Sequence, residues 1–395
     1  MRRIALFSAG LLLWAAGAVA EDWSGNMAIE ERAFPREASF PDQEGNDLSL
    51  AVQPEYYHEW NGGNRSFTFV PFGRLDQADP ERTHFDIREL TYLDVGDGVE
   101  WRVGIRKLFW GVIESVHLVD IINQTDLVEN PDGEDKLGQP MINLAVIRDW
   151  GTLDLFLLTG FRERTFPGPE GRLRTPLPVD TDRPVYESDQ ERGHLDLAAR
   201  WSRTIGEWDI GLSHFYGTGR EPQLIPGMDE NGAPVLIPRY EIIQQTGLDL
   251  QATIENWLLK LEAIHRTGQD PNFTALAVGF EYTLATIFDT RLDVGLLMEY
   301  LHDDRGEEAA TPFEDDVFVG CRLAFNDPQT TEALLGAIVD RESQARLISL
   351  EAARRFWENW KLGLEARAFI AILETDPLFG YASDDYIQLE LTRYF

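Results

Sequence analysis

The chain has 395 residues, of which 35 are lysine or arginine and 68 are aspartate or glutamate, giving a formal charge of −33. Such an excess of acid excludes nucleic acid as a partner, because too little positive charge is present to neutralise a phosphate backbone. The single cysteine, Cys321, excludes an internal disulfide and reads as a small apolar strand residue.

At the amino end, Arg2 and Arg3 precede an apolar run over 4–17, and Ala18, Val19 and Ala20 lead into Glu21 and Asp22. A charged start, an apolar middle and a small-residue cleavage site predict a secretory signal peptide over residues 1–20. Glu21 stands where a lipid-anchored protein would carry cysteine. Cleavage would leave 33 basic residues against 68 acidic ones. No later run of about 18 apolar residues occurs, so no membrane helix is predicted. Residues 21–395 are read as a single domain.

Through that domain the hydrophobic period is two. Trp360, Leu362, Leu364, Ala366 and Ala368 alternate with Lys361, Gly363, Glu365, Arg367 and Phe369, and Leu292 to Tyr300 behaves alike. Strands are predicted over 24–32, 47–58, 65–75, 84–95, 98–108, 140–149, 152–163, 192–203, 207–217, 240–253, 256–266, 273–284, 289–301, 315–326, 331–340, 345–355, 360–371 and 385–395. This makes about eighteen strands of roughly ten residues, the length that crosses a bilayer at a tilt.

Connection lengths alternate as well. Tight turns such as 61–64, 96–97, 150–151 and 205–206 follow the even strands, whereas 33–46, 109–139, 164–191, 218–239, 302–314 and 372–384 follow odd ones. Trp23, Trp60, Trp101, Trp150, Trp201, Trp208, Trp257, Trp357 and Trp360 all fall at the short-turn ends, and of the tryptophans after residue 20 only Trp110 falls on the other side. An amphipathic ring at one rim is the aromatic girdle of a membrane interface. The fold class is therefore all-β: a transmembrane, antiparallel, up-and-down barrel with short periplasmic turns and long extracellular loops.

With the apolar faces turned to lipid, the opposite faces carry a mixed-charge wall. Arg88, Arg102, Arg106 and Arg162 form its densest basic group on neighbouring strands. The plainer reading of each is a cross-strand ion pair; the functional one is a basic pore lining.

The segment 109–139 breaks the strand pattern. An apolar stripe through Ile113, Val116, Val119 and Ile122, followed by Asn130-Pro131-Asp132-Gly133, predicts a short helix and then a turn. Folded inward, it would be a constriction loop presenting Glu114, Asp120, Asp126 and Glu129, with His117 and Asn123, to the basic wall. Folded outward, it would pack on the rim. The loops over 164–191 and 220–239 are acidic, proline-rich and read as a solvated cap.

No catalytic set is predicted. Glu114, Ser115 and His117 are neighbours in sequence, but there is no nucleophile elbow. Asp132, Glu134 and Asp135 lack the spacing of a calcium loop, and the histidines lack metal-ligand spacing. No metal or cofactor is expected.

The final strand ends Leu391-Thr-Arg-Tyr-Phe395, with Ile387, Leu389, Leu391 and Phe395 on one face. It resembles the C-terminal assembly signal of bacterial outer-membrane proteins, although Arg393 replaces the aromatic usual two places before the end. The mature chain as a whole resembles single-chain bacterial outer-membrane porins, in layout most similar to eighteen-stranded substrate-specific and alginate-export channels. That resemblance implies a Gram-negative outer-membrane protein contacting lipid and lipopolysaccharide, assembled by the barrel machinery through the strand ending at Phe395. It implies a non-enzymatic channel for passive diffusion of small polar solutes, anions among them. Rival expectations are an outer-membrane lipase or protease, and a plugged structural or adhesive barrel.

Overall fold

The computed structural model describes residues 22–309 and 311–395. The signal-peptide expectation, residues 1–20, lies outside the described residues. In chain order the strands are β1 (Trp23–Ala33), β2 (Asn46–Trp60), β3 (Arg65–Asp76), β4 (His84–Gly96), β5 (Val99–Arg106), β6 (Gln139–Arg148), β7 (Gly151–Leu158), β8 (Val185–Tyr186), β9 (Asp196–Ile205), β10 (Trp208–Thr218) and β11 (Gln223–Met228). They continue with β12 (Pro234–Tyr240), β13 (Ile242–Ile254), β14 (Trp257–Thr267), β15 (Phe273–Leu284), β16 (Asp293–Asp303), β17 (Asp315–Ala324), β18 (Glu332–Asp340), β19 (Arg346–Phe356), β20 (Trp360–Ile370) and β21 (Tyr386–Tyr394).

Eighteen of these strands form one antiparallel sheet in which each pairs with its neighbours in sequence. The ring closes where β1 pairs with β21, from Asn26 opposite Tyr394 to Ala33 opposite Ile387. Closure satisfies the backbone of every strand edge, which is what lets a sheet stand in hydrocarbon without water to solvate it. All eighteen predicted strands are present, with ends shifted by a few residues. The remaining three, β8, β11 and β12, make a small sheet in the long connections, where a solvated cap was expected.

Side chains sort by parity. Along β2, Asp47, Ser49 and Ala51 are buried while Leu48, Leu50 and Val52 point outward and are exposed. Leu155, Leu212, Leu296, Leu335, Leu362 and Leu389 on other strands are exposed in the same way. A soluble protein does not leave a continuous apolar belt in water; a membrane barrel requires one. At the tight-turn rim the aromatics touch one another, with Trp23 and Tyr56 centroids 5.2 Å apart and Trp257 and Tyr282 4.6 Å apart. Eighteen strands enclose a bore wide enough for water, so interior charges need not be dry.

One irregularity matters for the bore. Val70 pairs with Glu89 and Pro71 with Ile87, leaving Arg88 opposite no residue of β3. Pro71 has no N–H to give the ladder, so a bulge there costs little. Inward-facing positions on β4 run Asp86, the bulged Arg88 and then Thr91, so the bulge re-aims the strand at Arg88.

Candidate functional site

The segment between β5 and β6, residues 107–138, forms no helix. The predicted short helix is therefore corrected to an irregular chain with turns and two isolated bridges, Thr125 to Lys136 and Asp126 to Thr165. The apolar stripe that suggested a helix is used otherwise: its side chains pack against apolar residues of the barrel wall, and part of its backbone finds partners there. Asn123 ties the neck of the loop, accepting from Leu108 N at 2.9 Å and donating to the carbonyls of Arg106 at 2.7 Å and Leu137 at 2.8 Å.

Two wall carboxylates hold the tip. Glu262 on β14 accepts from the backbone N–H of Val112 (2.6 Å), Ile113 (2.9 Å) and Val119 (3.2 Å). Glu299 on β16 accepts from Glu114 N and Ser115 N, each at 2.9 Å, and from Ser115 Oγ at 2.6 Å. Trp110, Val119, Ile121 and Ile122 pack against Phe156, Phe215, Ile243, Ile264 and Phe273 on the inner wall. Ile113 packs on Ala277 and Leu301. A loop resting on the rim above β5 and β6 could not reach β14 and β16. These bonds run its first part through the bore against the β6–β16 side of the wall, while its later residues reach Arg88 on β4, Arg74 on β3 and Arg367 on β20.

The structure places the residues singled out from sequence as follows. Arg88 pairs with Asp126 at 2.6 Å and with Asp86 at 3.1 Å, all buried. Asp126 also accepts from Thr165 Oγ1 at 2.7 Å. Arg162 donates to Asp86 at 2.7 Å. Arg102 contacts Glu100 and Asp154, and both Arg102 and Arg106 donate to Asn143 Oδ1 at 3.1 Å. Glu114 reaches across to Arg322 at 2.6 Å and Lys260 at 3.6 Å. Asp120 turns back to accept from Trp110 N at 2.6 Å.

Glu129 is held by Arg74 at 2.8 Å and His84 at 2.7 Å. Burial pushes the Glu129 carboxyl up, but the His84 hydrogen bond and the Arg74 and Arg82 charges outweigh it and hold it well below the usual range. The basic group and the loop acids are thus brought together only at Arg88 and Asp126.

The donor atoms of His84, Asp126 and Glu129 lie within 4.8 Å of one another, the spread of a cation site. Arg74 and Arg88 already occupy those carboxylates, so a metal ion there would face two fixed positive charges. The residues do not fit a metal. Ser115 and His117 also diverge: the hydroxyl donates to Glu299, and the imidazole pairs with Glu134. No Ser–His couple forms between them.

With the first part of the loop against one side of the wall, water space remains beside the other. A cavity of about 640 Å³ opens toward the tight-turn rim beside Asn26, Gln53, Arg322, Lys361 and Glu390. A second, of about 620 Å³, opens toward the long-loop rim beside Phe313, Phe318, Phe369 and Tyr381. They share five lining residues, Glu114, Asp132, Glu134, Leu334 and Glu351, of which every charged one is acidic. Neither cavity is bordered by Arg88, Arg102, Arg106 or Arg162.

Asp132 pairs with Arg367 at 2.8 Å. The side chains of Glu134 and Glu351 are 55% and 53% exposed, whereas Arg367 is 8% exposed. The charge a solute meets at this junction is therefore mainly carboxylate. Sequence reasoning set the face of Arg367 inside the barrel but did not place the junction there. The inward parity of Glu351 on β19 and Arg367 on β20 was visible; the side on which the loop would lie was not.

A closed antiparallel barrel with an apolar outer belt, an aromatic rim and a loop laid through a water-containing bore has the architecture of an outer-membrane porin. No family model and no curated protein matches the sequence. Among solved structures it is similar to a double mutant of the Rh. blastica porin (12% identity, 94% of this chain and 99% of that one, TM-score 0.44). It is also similar to a loop-deletion mutant of OmpT, an outer membrane protein of Vibrio cholerae (9% identity, 95% and 98%, TM-score 0.46).

Proposed function

We propose that the protein is a non-enzymatic diffusion channel of the Gram-negative outer membrane. It passes small polar solutes between the two cavities, and favours cations over anions. The short-turn rim is periplasmic, and the apolar belt contacts lipid, with lipopolysaccharide on the loop side. The observation that carries this reading is the shared junction of the two cavities, whose charged lining is Glu114, Asp132, Glu134 and Glu351. Carboxylates projecting into a narrow aqueous path concentrate cations and repel anions.

The anion preference expected from Arg88, Arg102, Arg106 and Arg162 has less support. Arg88 and Arg162 spend their charge on Asp86 and Asp126, Arg102 on Glu100 and Asp154, and none of the four borders the path. Residues 107–138 act as the constriction loop by narrowing the bore from one side. Purified protein reconstituted in a planar bilayer should give steady, voltage-independent current steps. Protein that inserts and carries no current would contradict the reading.

A further inference from the structure

We infer that the cavity on the long-loop side is a binding site for a small organic cation with an apolar body, an aromatic or branched alkyl ammonium. The inference rests on the channel reading and deepens it by naming the solute class. Its volume, about 620 Å³, falls in the range that encloses a small ligand.

The wall and floor of the cavity differ in character. Phe313, Phe318, Ile338, Leu347, Phe369 and Tyr381 form a nearly continuous apolar side. Phe369 and Tyr381 meet edge to face at 5.5 Å between centroids. The end of the Phe318 ring lies over Gly320 and Gly336, which pair across β17 and β18. A Cβ at Gly336 would stand 2.5 Å from the ring and one at Gly320 2.9 Å, so the two glycines make the slot that the ring occupies. General diffusion of hydrated ions has no use for such a surface. An apolar body would be drawn to it, and aromatic faces add attraction for a cation.

All the charge is at the floor: Glu114, Asp132, Glu134 and Glu351 against Arg367. Glu114 and Asp132 pair with Arg322 and Arg367; Glu134 pairs with His117 and Glu351 with Arg367, but these two carboxylates are half exposed and are the ones that meet an ammonium group. A ligand with one positive end and one apolar end fits this division, and an anion or a sugar does not. The floor is also the junction with the second cavity, so a bound cation sits at the entrance to the rest of the path.

The test is block of single-channel potassium current by phenethylammonium added on the loop side. Ethylammonium has the charge without the ring, and phenylpropionate has the ring with the opposite charge. Phenethylammonium should block at concentrations about tenfold or more below the other two. Phe318→Ala should shorten the block at least about threefold with little change in open-channel current, and Glu351→Gln should weaken it comparably. If Phe318→Ala does not fold, Leu347→Ala carries the same arm.

Equal block by all three compounds, or none by phenethylammonium in a conducting channel, overturns the inference and leaves the channel reading intact. A channel that carries no current overturns the channel reading instead. The ranking is then read by calorimetry on the refolded barrel, where equal binding of the three compounds overturns the site.

Discussion

Arg88 Nη1 lies 2.6 Å from Asp126 Oδ2, joining a bulged residue of the barrel wall to the middle of the inward loop, with both side chains buried. Close approach of the loop to this bulge depends on Gly138, whose absent Cβ would stand 2.6 Å from the Ile87 carbonyl and 2.7 Å from that of Arg88. Truncating one partner of a buried pair leaves the other charge uncompensated, at a cost of about 3 kcal/mol or more. Asp86 covers part of that loss here. Asp126→Asn should therefore destabilise the barrel by about 2 kcal/mol in urea unfolding, and should raise open-channel noise as the loop loosens. An unchanged unfolding midpoint would mean that the pair does not hold the loop.

Glu262 and Glu299 make a second attachment by a different means, since each binds loop backbone rather than loop charge. Hydrogen bonds to a charged acceptor contribute about 1.5–3 kcal/mol each. Replacing both residues with glutamine should speed hydrogen exchange at the amides of Val112, Ile113 and Ser115 by about tenfold or more. Exchange in β14 and β16 should stay slow. Equal acceleration of strands and loop would point to general destabilisation.

The lipid-facing and bore-facing assignments are tested by two adjacent residues. Leu335 is exposed on the outer surface, and Leu334 lines both cavities. Leu335→Arg should destabilise the folded barrel by about 2–4 kcal/mol, the cost of an arginine on the lipid face near the bilayer midplane. Leu334→Arg should fold and lower cation current. Reversed outcomes would place the faces the other way round.

Groups at and beside the junction also titrate. Burial pushes the Asp135 carboxyl up, and the neighbouring Glu129 and Asp132 charges push it further, to about 7. Burial lowers the His117 value, but the hydrogen bond and charge of Glu134 outweigh it and raise it above 6.5. The same hydrogen bond lowers Glu134 below its usual 4.5.

For His117, a raised folded value stabilises the protein fully below about 6.5, and that stabilisation is lost as pH rises through the folded value. For Glu134, a lowered value stabilises above about 4.5, and the gain is lost as pH falls through the folded value. The pair therefore contributes most between those limits. For Asp135 the proton is held more tightly when folded, so its contribution declines as pH rises from its unfolded value through about 7. Acidification from pH 8 to pH 6 protonates Asp135 and should reduce cation selectivity. Asp135→Asn with His117→Gln should make selectivity flat over that interval, as read from zero-current potentials.

Much of the barrel was legible in the chain because each strand repeats one physical demand, apolar outward and polar inward, as in the run from Trp360 to Ile370. Turn parity and the placement of Trp23, Trp60 and Trp257 added independent support. The path of residues 107–138 was not legible. Its partners, Glu262 and Glu299, are more than a hundred residues away, and its apolar residues serve the wall rather than one another. Spacing that suggests a helix is in this loop a set of contacts with the wall. Likewise Arg88 was identified as basic and inward, but its bulge depends on how Pro71 is paired. The side left open by the loop determines which charges face water, and so the weight moves from Arg102 and Arg106 to Glu134 and Glu351.

The most direct test of this account is the zero-current potential across a bilayer holding a tenfold potassium chloride gradient. The acidic junction predicts a potential of the sign set by potassium, smaller after Glu134→Gln with Glu351→Gln and little changed by Arg102→Gln with Arg106→Gln. A potential of the sign set by chloride, abolished by the arginine substitutions, would contradict it.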